Sequence, residues 1–471
     1  MYNSFTAAVE HHTAGRFAEA EQIYREILAA EPDNPDALHL LGMLAHDTGD
    51  SETALGLIGR ALSLNPFVCH YHSNLGNVFQ SLGRYSEALL CYEEAIRLAR
   101  DVPEPHNNMG NALRHLGRYE EAARCFLEAI RLRPDYFQAF RNLGDTLSAA
   151  AMYEDAAACY QQALRLGPDI PETHVALAYA WMTAGNLKDG WREYEWRWKT
   201  AHAPVIDFAQ PRWDGSPLEG KTILLWAEQG LGDTLHFIRY ATLAAEAGGR
   251  VVVECQSGLA ELVETVAGVQ RAIVYGNPLP EFAVQAPLQS LPAICGTTLE
   301  TIPARVPYLS VRPEWRARWQ GRTGGAGGLK AGLVWAGNPL NPNDANRSIP
   351  SRCFAPWKEL PGIRWFSLQK NPPGALPPLA IDDLSAEILD FRDTAALVEQ
   401  LDLVISADTA VAHLAGALGK PVWTLLPFAP DYRWMIGRDD SPWYPTMRLF
   451  RQPVPGDWDS VIRAAGEALA G

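Results

Sequence analysis

A helix-breaking turn recurs every 34 residues through the first two hundred positions, and a fixed period of that length marks stacked repeats, not one globular core. The turns read Gly15-Arg16-Phe17, Gly49-Asp50-Ser51, Gly83-Arg84-Tyr85, Gly117-Arg118-Tyr119, Ala151-Met152-Tyr153 and Gly185-Asn186-Leu187. A small residue follows each of them at Ala20, Ala54, Ala88, Ala122, Ala156 and Gly190. One helical turn later comes a larger residue: Tyr24, Ile58, Tyr92, Phe126, Tyr160 and Tyr194. A second small column runs through Ala61, Ala95, Ala129 and Ala163, and Pro32, Pro66, Pro134 and Pro168 close four units. Each unit therefore reads as two helices of about a dozen residues on either side of the turn. Small residues let the helices approach, and aromatics fill the groove between units. Cys91, Cys125 and Cys159 fall on the same period, which is neither disulfide nor zinc spacing, so they read as small core residues.

These columns resemble the tetratricopeptide repeat (TPR). Five repeats and a sixth that decays after Trp191 can be counted, with Arg100 in place of the third unit's closing proline and Arg197 in place of the last small residue. One column is not explained by packing. Asn74, Asn108 and Asn142 precede the Leu/Met-Gly pairs, and Asn77, Asn111 and Asp145 follow on the same helix face. In TPR arrays the first helix of each unit lines the concave groove, where stacked amides can grip the backbone of an extended peptide. A similar asparagine ladder occurs in the repeats of O-linked N-acetylglucosamine transferase. Two readings stand side by side: a docking groove for a protein, and amides that brace neighbouring repeats.

Charge is uneven. Residues 1–200 hold 27 acidic and 17 basic side chains, so −10 of the net −15 lies on the array. An acidic array disfavours nucleic acid and favours a partner with basic or neutral polar segments. No apolar run approaches the length needed to span a bilayer, and the first residues carry no basic-then-apolar leader. With no CxxC pair in the sequence, a reducing, cytoplasmic setting is expected.

Near residue 200 the period stops. Trp196-Arg197-Trp198 through Pro211-Arg212-Trp213-Asp214-Gly215 reads as an ordered connector. Beyond it, β-rich runs at Thr222–Trp226, Val251–Glu254, Ala272–Tyr275, Ala331–Trp335, Trp365–Leu368, Leu403–Ser406 and Val422–Leu425 alternate with helical patterns at 234–247, 258–267, 394–401 and 409–418. Such alternation predicts parallel sheets flanked by helices. The run Gly321-Arg322-Thr323-Gly324-Gly325-Ala326-Gly327-Gly328 divides the region. The expected architecture is α + α/β. An all-α superhelix spans 1–204, and two Rossmann-like halves follow at 205–320 and 329–471, facing each other in a GT-B-like arrangement.

Chemistry concentrates at two strand ends, where open α/β sheets present ligands. The first is Trp226-Ala227-Glu228-Gln229-Gly230-Leu231-Gly232-Asp233-Thr234, a Gly-rich turn into a helix that is neither a Walker motif nor a full GxGxxG. Gly230 and Gly232 permit close backbone approach, and Asp233 is either a reactive carboxylate or a helix cap. The second is Ile405-Ser406-Ala407-Asp408-Thr409-Ala410-Val411-Ala412-His413-Leu414. Here a strand ends in a polar turn and a small-residue helix begins, offering free N–H groups to phosphate. Asp408 and Thr409 also fit as caps, and His413 as a core residue. A third stretch, Trp335-Ala336-Gly337-Asn338 to Asn346-Arg347-Ser348, follows the first strand of the last half. Arg347 and Lys370 are either counter-charges for a leaving group or ordinary surface cations. Arg433-Trp434 and Trp443-Tyr444 are candidates to frame a sugar or base by stacking. Scattered histidines and the lack of a DxD cluster argue against a metal site.

Over roughly 220–430 the two turns resemble the heptosyltransferase-like glycosyltransferases, which carry a Gly-Asp turn after the first strand and an Asp-Thr/Ser-Gly-x-x-His-Leu-Ala run in the donor half. Ala410 stands where that family has glycine. The resemblance implies Asp233 as general base, Glu228, Gln229, Gly230 and Gly232 around the acceptor, and Asn338, Arg347, Lys370, Asp408, Thr409, Ala410 and His413 around the donor phosphates. The fusion is also similar to TPR-linked flagellin glycosyltransferases, which implies flagellin as acceptor and a nonulosonic acid on CMP as donor. It implies no cofactor beyond a nucleotide-sugar co-substrate. Motifs of the catalytic part of O-linked N-acetylglucosamine transferase are not recognisable. Two rival readings are a glycan or lipopolysaccharide transferase whose repeats bind a partner enzyme, and a scaffold with a degenerate transferase fold.

Overall fold

The computed structural model describes every residue except Met1, His202, 204–207, 325–326 and 372–373. The expected boundary at 204/205, and Gly325 and Ala326 of the glycine run, lie outside the described residues. The chain divides into two compact units, Met1–Ala176 and Leu177–Gly471.

The first unit is a stack of helix pairs: Tyr2–Thr13 with Phe17–Ala30, Pro35–Asp47 with Ser51–Leu64, Cys69–Ser81 with Tyr85–Leu98, Pro103–His115 with Tyr119–Leu132, and Phe137–Ala149 with Tyr153–Leu166. The turn column has a backbone cause. Gly83 adopts φ +72°, which lets Gly83 N–H donate to Gln80 O at 3.0 Å and Arg84 N–H to Phe79 O at 2.9 Å, closing the helix. Ala151 takes the same role at φ +59°, a conformation that strains an L-residue with a side chain.

The glycine before each turn serves packing instead. A Cβ on Gly76 would sit 2.5 Å from Tyr92, one on Gly110 2.7 Å from Phe126, one on Gly144 2.6 Å from Tyr160 and one on Gly42 2.7 Å from Ile58. Ile58, Tyr92, Phe126 and Tyr160 thus lie directly on the bare backbone of their partner helices, fully or almost fully buried. Gly110→Ala is expected to destabilise the protein by about 1–3 kcal/mol through overpacking against the Phe126 ring. Urea unfolding of the full chain measures this, and the double variant Gly110→Ala/Phe126→Leu is expected to recover part of the loss.

The second unit opens with the end of helix Pro171–Thr183, helix Leu187–Tyr194 and the 3-10 turn Glu195–Lys199. It then forms two parallel sheets. One holds β1 (Thr222–Trp226), β2 (Arg250–Cys255), β3 (Val269–Val274) and β4 (Val284–Pro287) in the order β3-β2-β1-β4. The other holds β5 (Leu329–Val334), β6 (Ile363–Ser367), β7 (Ile381–Asp383), β8 (Leu403–Ala407), β9 (Val422–Leu426) and β10 (Met447–Arg451) in the order β10-β9-β8-β5-β6-β7. All the strand pairs within both sheets are parallel. The seven strands expected from sequence are β1, β2, β3, β5, β6, β8 and β9. The other three lack a buried apolar run. β4 has four residues and ends in proline, β7 has three, and β10 carries Arg448, whose guanidinium covers the Trp423 and Phe450 rings.

The helix expected over 234–247 is interrupted. It forms as Leu231–Phe237, a 3-10 turn Ile238–Tyr240 and Ala241–Glu246. Arg239 points inward and its Nε donates to His236 O at 2.8 Å, occupying a carbonyl at the break. The pattern at 258–267 yields only Ala260–Val263, whereas 394–401 extends forward to Phe391–Glu399 because the Asp390 carboxylate accepts the Arg392 and Asp393 N–H groups.

Candidate functional site

The carboxyl ends of β1, β5 and β8 converge on a cleft of about 950 Å³ within the second unit. From the first sheet it receives Gln229, Gly230, Gly232 and Asp233; from the second, Asn338, Arg347, Lys370, Asp408, Thr409, Ala410 and His413. The lobes meet where helix Leu231–Phe237 crosses helix Ala410–Ala417. A Cβ on Gly232 would lie 3.2 Å from His413 Cδ2 and 3.5 Å from Ala410 Cα, so the bare backbone is what permits this approach.

Asp233 takes the capping role weighed from sequence and also forms an ion pair across the cleft. Its Oδ2 accepts the Gly230 N–H at 2.9 Å, capping the helix, while Oδ1 accepts Arg433 Nη2 from the opposite lobe. Arg433 also donates Nη1 to Asp431 Oδ1 at 2.8 Å, so one guanidinium, 8% exposed, links two carboxylates across the cleft. Burial pushes the Asp233 carboxyl above the ordinary aspartate range against the pull of Arg433.

Asp408 lies at the other wall, and its carbonyl accepts Arg347 Nη1 at 3.2 Å. Burial, reinforced by Asp431, raises its carboxyl to about 6. The folded protein therefore holds this proton in a range where the unfolded chain has lost it. Its contribution to stability is present below pH 4 and is lost as the pH rises to about 6. Urea midpoints measured from pH 4 to 7 are expected to fall with rising pH through that window, and Asp408→Asn is expected to flatten the slope.

Arg347 is held by Asp344 at 3.2 Å under Gly337, where a Cβ would come within 2.6 Å of its guanidinium. Lys370 donates Nζ to Ser385 O at 3.1 Å and Ile388 O at 2.6 Å, so it also pins a loop. Asn338 Oδ1 accepts the Leu340 N–H at 3.0 Å and shapes the turn after β5. Thr409 Oγ1 lies 3.0 Å from Ser406 Oγ.

Two assignments differ from expectation, and the repeat ladder shows one of its two readings. Glu228 does not reach the cleft. Its side chain is 3% exposed and binds Arg197 Nε at 2.9 Å and Nη2 at 3.0 Å, and it accepts the Gln289 N–H at 3.1 Å. The residue that breaks the small column is thus its partner. Trp434, Trp443 and Tyr444 do not form an open stacking pocket, being fully buried: Trp434 stacks on His413 at 5.2 Å and 13°, and Trp443 packs on His236. The amides of the repeat ladder bond one another. Asn108 donates to Asn77 Oδ1 at 2.9 Å, Asn142 to Asn107 Oδ1 at 2.9 Å and Asn74 contacts His39 Nε2 at 2.9 Å. Tyr92 donates to Asn77 at 2.8 Å and Tyr160 to Asp145 at 2.8 Å, whereas Asn111 Oδ1 has no partner among the described residues. The bracing role is therefore present, and these side chains remain half-buried.

Sequence reasoning missed Asp431 and the rings of Tyr179 and Tyr194, which line the cleft from the sixth helix pair. The two rings are 5.7 Å apart, Tyr179 faces Tyr432 at 5.4 Å, and Gln229 Nε2 donates to Tyr194 Oη at 3.2 Å. Tyr194 was visible only as a member of the large-residue column. Among the described residues no cluster of three or more His, Cys, Asp or Glu side chains is arranged to hold a metal, and no helix is long and apolar enough to cross a membrane.

Two kinds of family model match the chain. Residues 11–73 and 101–169 match models of the tetratricopeptide repeat, and 76–114 a model of the TPR repeat. Residues 386–435, which contain the Asp408–His413 turn and Arg433, match glycosyltransferase family 9 (heptosyltransferase). Protein FlbA of Caulobacter vibrioides (strain ATCC 19089 / CIP 103742 / CB 15) is 29% identical over 318 residues, covering 61% of this chain and 53% of FlbA. The chain thus matches about half the length of that relative. Among solved structures, MamA is similar at 20% identity and a TM-score of 0.32, covering 34% of this chain and 94% of MamA. PilW, a type IV pilus biogenesis factor, is similar at 17% identity and a TM-score of 0.39, covering 42% and 90%. The chain carries tetratricopeptide repeats between residues 11 and 169 and, in its α/β unit, a segment of the glycosyltransferase family 9 (heptosyltransferase) type.

Proposed function

We propose that the chain is an inverting glycosyltransferase of GT-B arrangement. It moves a sugar from a nucleotide-sugar donor to a Ser or Thr hydroxyl of a protein held by the repeats, without a metal or a cofactor. The observation that carries this reading is the shared cleft, in which Asp233 of one lobe faces the Asp408–His413 turn and Arg347 of the other. Asp233 accepts the proton of the attacking hydroxyl as the new bond to the anomeric carbon forms and the bond from that carbon to the phosphate oxygen breaks. The negative charge that departs with the phosphate meets the open N–H groups at the start of helix Ala410–Ala417 and the Arg347 guanidinium. Docking raises the local concentration of acceptor hydroxyls, which gives a repeat array a purpose beside a transferase site. The resemblance to TPR-linked flagellin glycosyltransferases makes flagellin the first acceptor to test, and the site's place is the cytoplasm.

Intact mass of flagellin co-expressed with and without the protein tests the reading. Increments of whole glycosyl residues, appearing only with the protein, are expected. An unchanged mass alongside sugar added to a free glycan would replace the protein acceptor by a glycan one.

A further inference from the structure

Two histidines near the cleft share one phenol. His236 belongs to helix Leu231–Phe237, which begins beside Asp233, and His413 to helix Ala410–Ala417 of the other lobe. Each presents Nδ1 to Tyr444 Oη at 3.0 Å. A phenol has a single proton, so Tyr444 donates to one imidazole and accepts from the other. The direction of that pair of bonds decides which nitrogen of His413 carries hydrogen.

The surroundings of His236 settle the direction. The residue is fully buried, and its Nε2 is sealed from solvent with no partner among the described residues. A proton on that nitrogen would be an orphaned buried donor, and burial with the Arg239 and Arg433 charges keeps the ring from taking a second proton. The His236 proton therefore sits on Nδ1 and is donated to Tyr444 Oη. Tyr308 Oη also lies 3.4 Å from Tyr444 Oη, but its proton is directed to the nearer Leu235 O at 2.9 Å. Tyr444 O–H then donates to His413 Nδ1, which leaves the only His413 proton on Nε2. Burial, together with Arg433, Arg239 and Arg347, pushes the His413 imidazole well below its ordinary range, so the ring is uncharged. Stacking on Trp434 fixes its plane, and His413 lines the cleft with Thr409 and Ala410, its Cδ2 3.2 Å from where a Cβ on Gly232 would sit.

We propose that His236 and Tyr444 act as positioning residues that hold the proton of His413 on Nε2, so that the cleft receives an uncharged imidazole N–H donor for a phosphate oxygen of the nucleotide. The identity of that ligand rests on the transferase reading; the proton relay does not. An uncharged donor matters at this wall because Arg347 already supplies positive charge. The N–H adds a directed hydrogen bond without a second full positive charge.

The test uses the full-length protein labelled with [15N]histidine and two-bond 1H–15N correlation spectra, which report the tautomer of each ring. His413 is expected as the Nε2–H form and His236 as the Nδ1–H form. Tyr444→Phe and His236→Leu are expected to release His413 into a mixture of tautomers. In contrast, His236→Asn, whose amide places an N–H donor near the position of Nδ1, is expected to retain the Nε2–H form. Inorganic pyrophosphate serves as the probe of the phosphate site. Its affinity is expected to drop about threefold to tenfold in His236→Leu and to recover in His236→Asn. An Nδ1–H tautomer at His413 in the unaltered protein, or an unchanged Nε2–H form in both Tyr444→Phe and His236→Leu, overturns the relay. Equal pyrophosphate affinity in His236→Leu and the unaltered protein overturns the donor role. The spectra need no turnover, so a failure to transfer sugar and a failure of the relay are read separately.

Discussion

Asp233→Asn is expected to lower the rate constant for sugar transfer by about 10²–10⁴-fold, the range that a positioned general base contributes. The substitution is selective by construction of the site. An asparagine oxygen still accepts the Gly230 N–H that Asp233 accepts at 2.9 Å, so the start of helix Leu231–Phe237 keeps its cap. Arg433 keeps its 2.8 Å bond to Asp431 and remains paired. What disappears is the negative charge and the ability to take a proton. Protein docking on the repeats and the thermal midpoint are expected to stay near those of the unaltered chain, while transfer read by intact mass falls below detection. Transfer at an undiminished rate would remove Asp233 from the chemistry and leave it as a cap alone.

The other large effect is on stability. Arg433→Met is expected to destabilise the protein by about 3–5 kcal/mol, the loss that follows when one partner of a buried ion pair is removed. Methionine fills much of the same volume between Phe237 and Tyr432, so packing is not the main term. The cost arises because Asp233 and Asp431 would face each other with no guanidinium between them, close to the raised carboxyl of Asp408. The side chain of Asp431 is 31% exposed and can draw on water, which places the effect toward the lower end of the range. Acid is expected to restore part of the loss, since protonation removes the repulsion. Chemical unfolding at pH 5 and pH 7 measures both. A variant that unfolds at the same urea concentration as the parent would show that the bridge between the lobes is dispensable.

The repeats were legible because each helix pair touches only its neighbours, so the whole packing scheme is printed locally every 34 residues. The two strand-end turns were legible for a related reason. A parallel sheet offers ligands at one edge only, and Gly230–Asp233 and Asp408–His413 are the polar breaks at that edge. The Arg433–Asp233 bridge spans 200 positions, and nothing in the spacing of either residue announces it. Glu228 shows the opposite failure. It stands in the right turn, yet Arg197 of the 3-10 helix Glu195–Lys199 turns its carboxylate away from the cleft. The direction of a side chain depends on partners that local sequence does not name. β7 and β10 escaped notice because edge strands need no continuous apolar run.

The rings of Tyr179 and Tyr194 bear on how such a chain can be rearranged over generations. Whole repeats can be gained or lost in 34-residue steps among the third, fourth and fifth helix pairs, because each step restores the same glycine-on-aromatic joint. The sixth pair has no such freedom. Its tyrosines form part of the cleft wall, and one of them holds Gln229 beside Asp233. A recombination near residue 200, where the helical period ends, would carry that wall away with the repeats. One upstream of Leu177 would leave it with the α/β unit, so array length and cleft shape are expected to be inherited separately with the seam inside the last repeat.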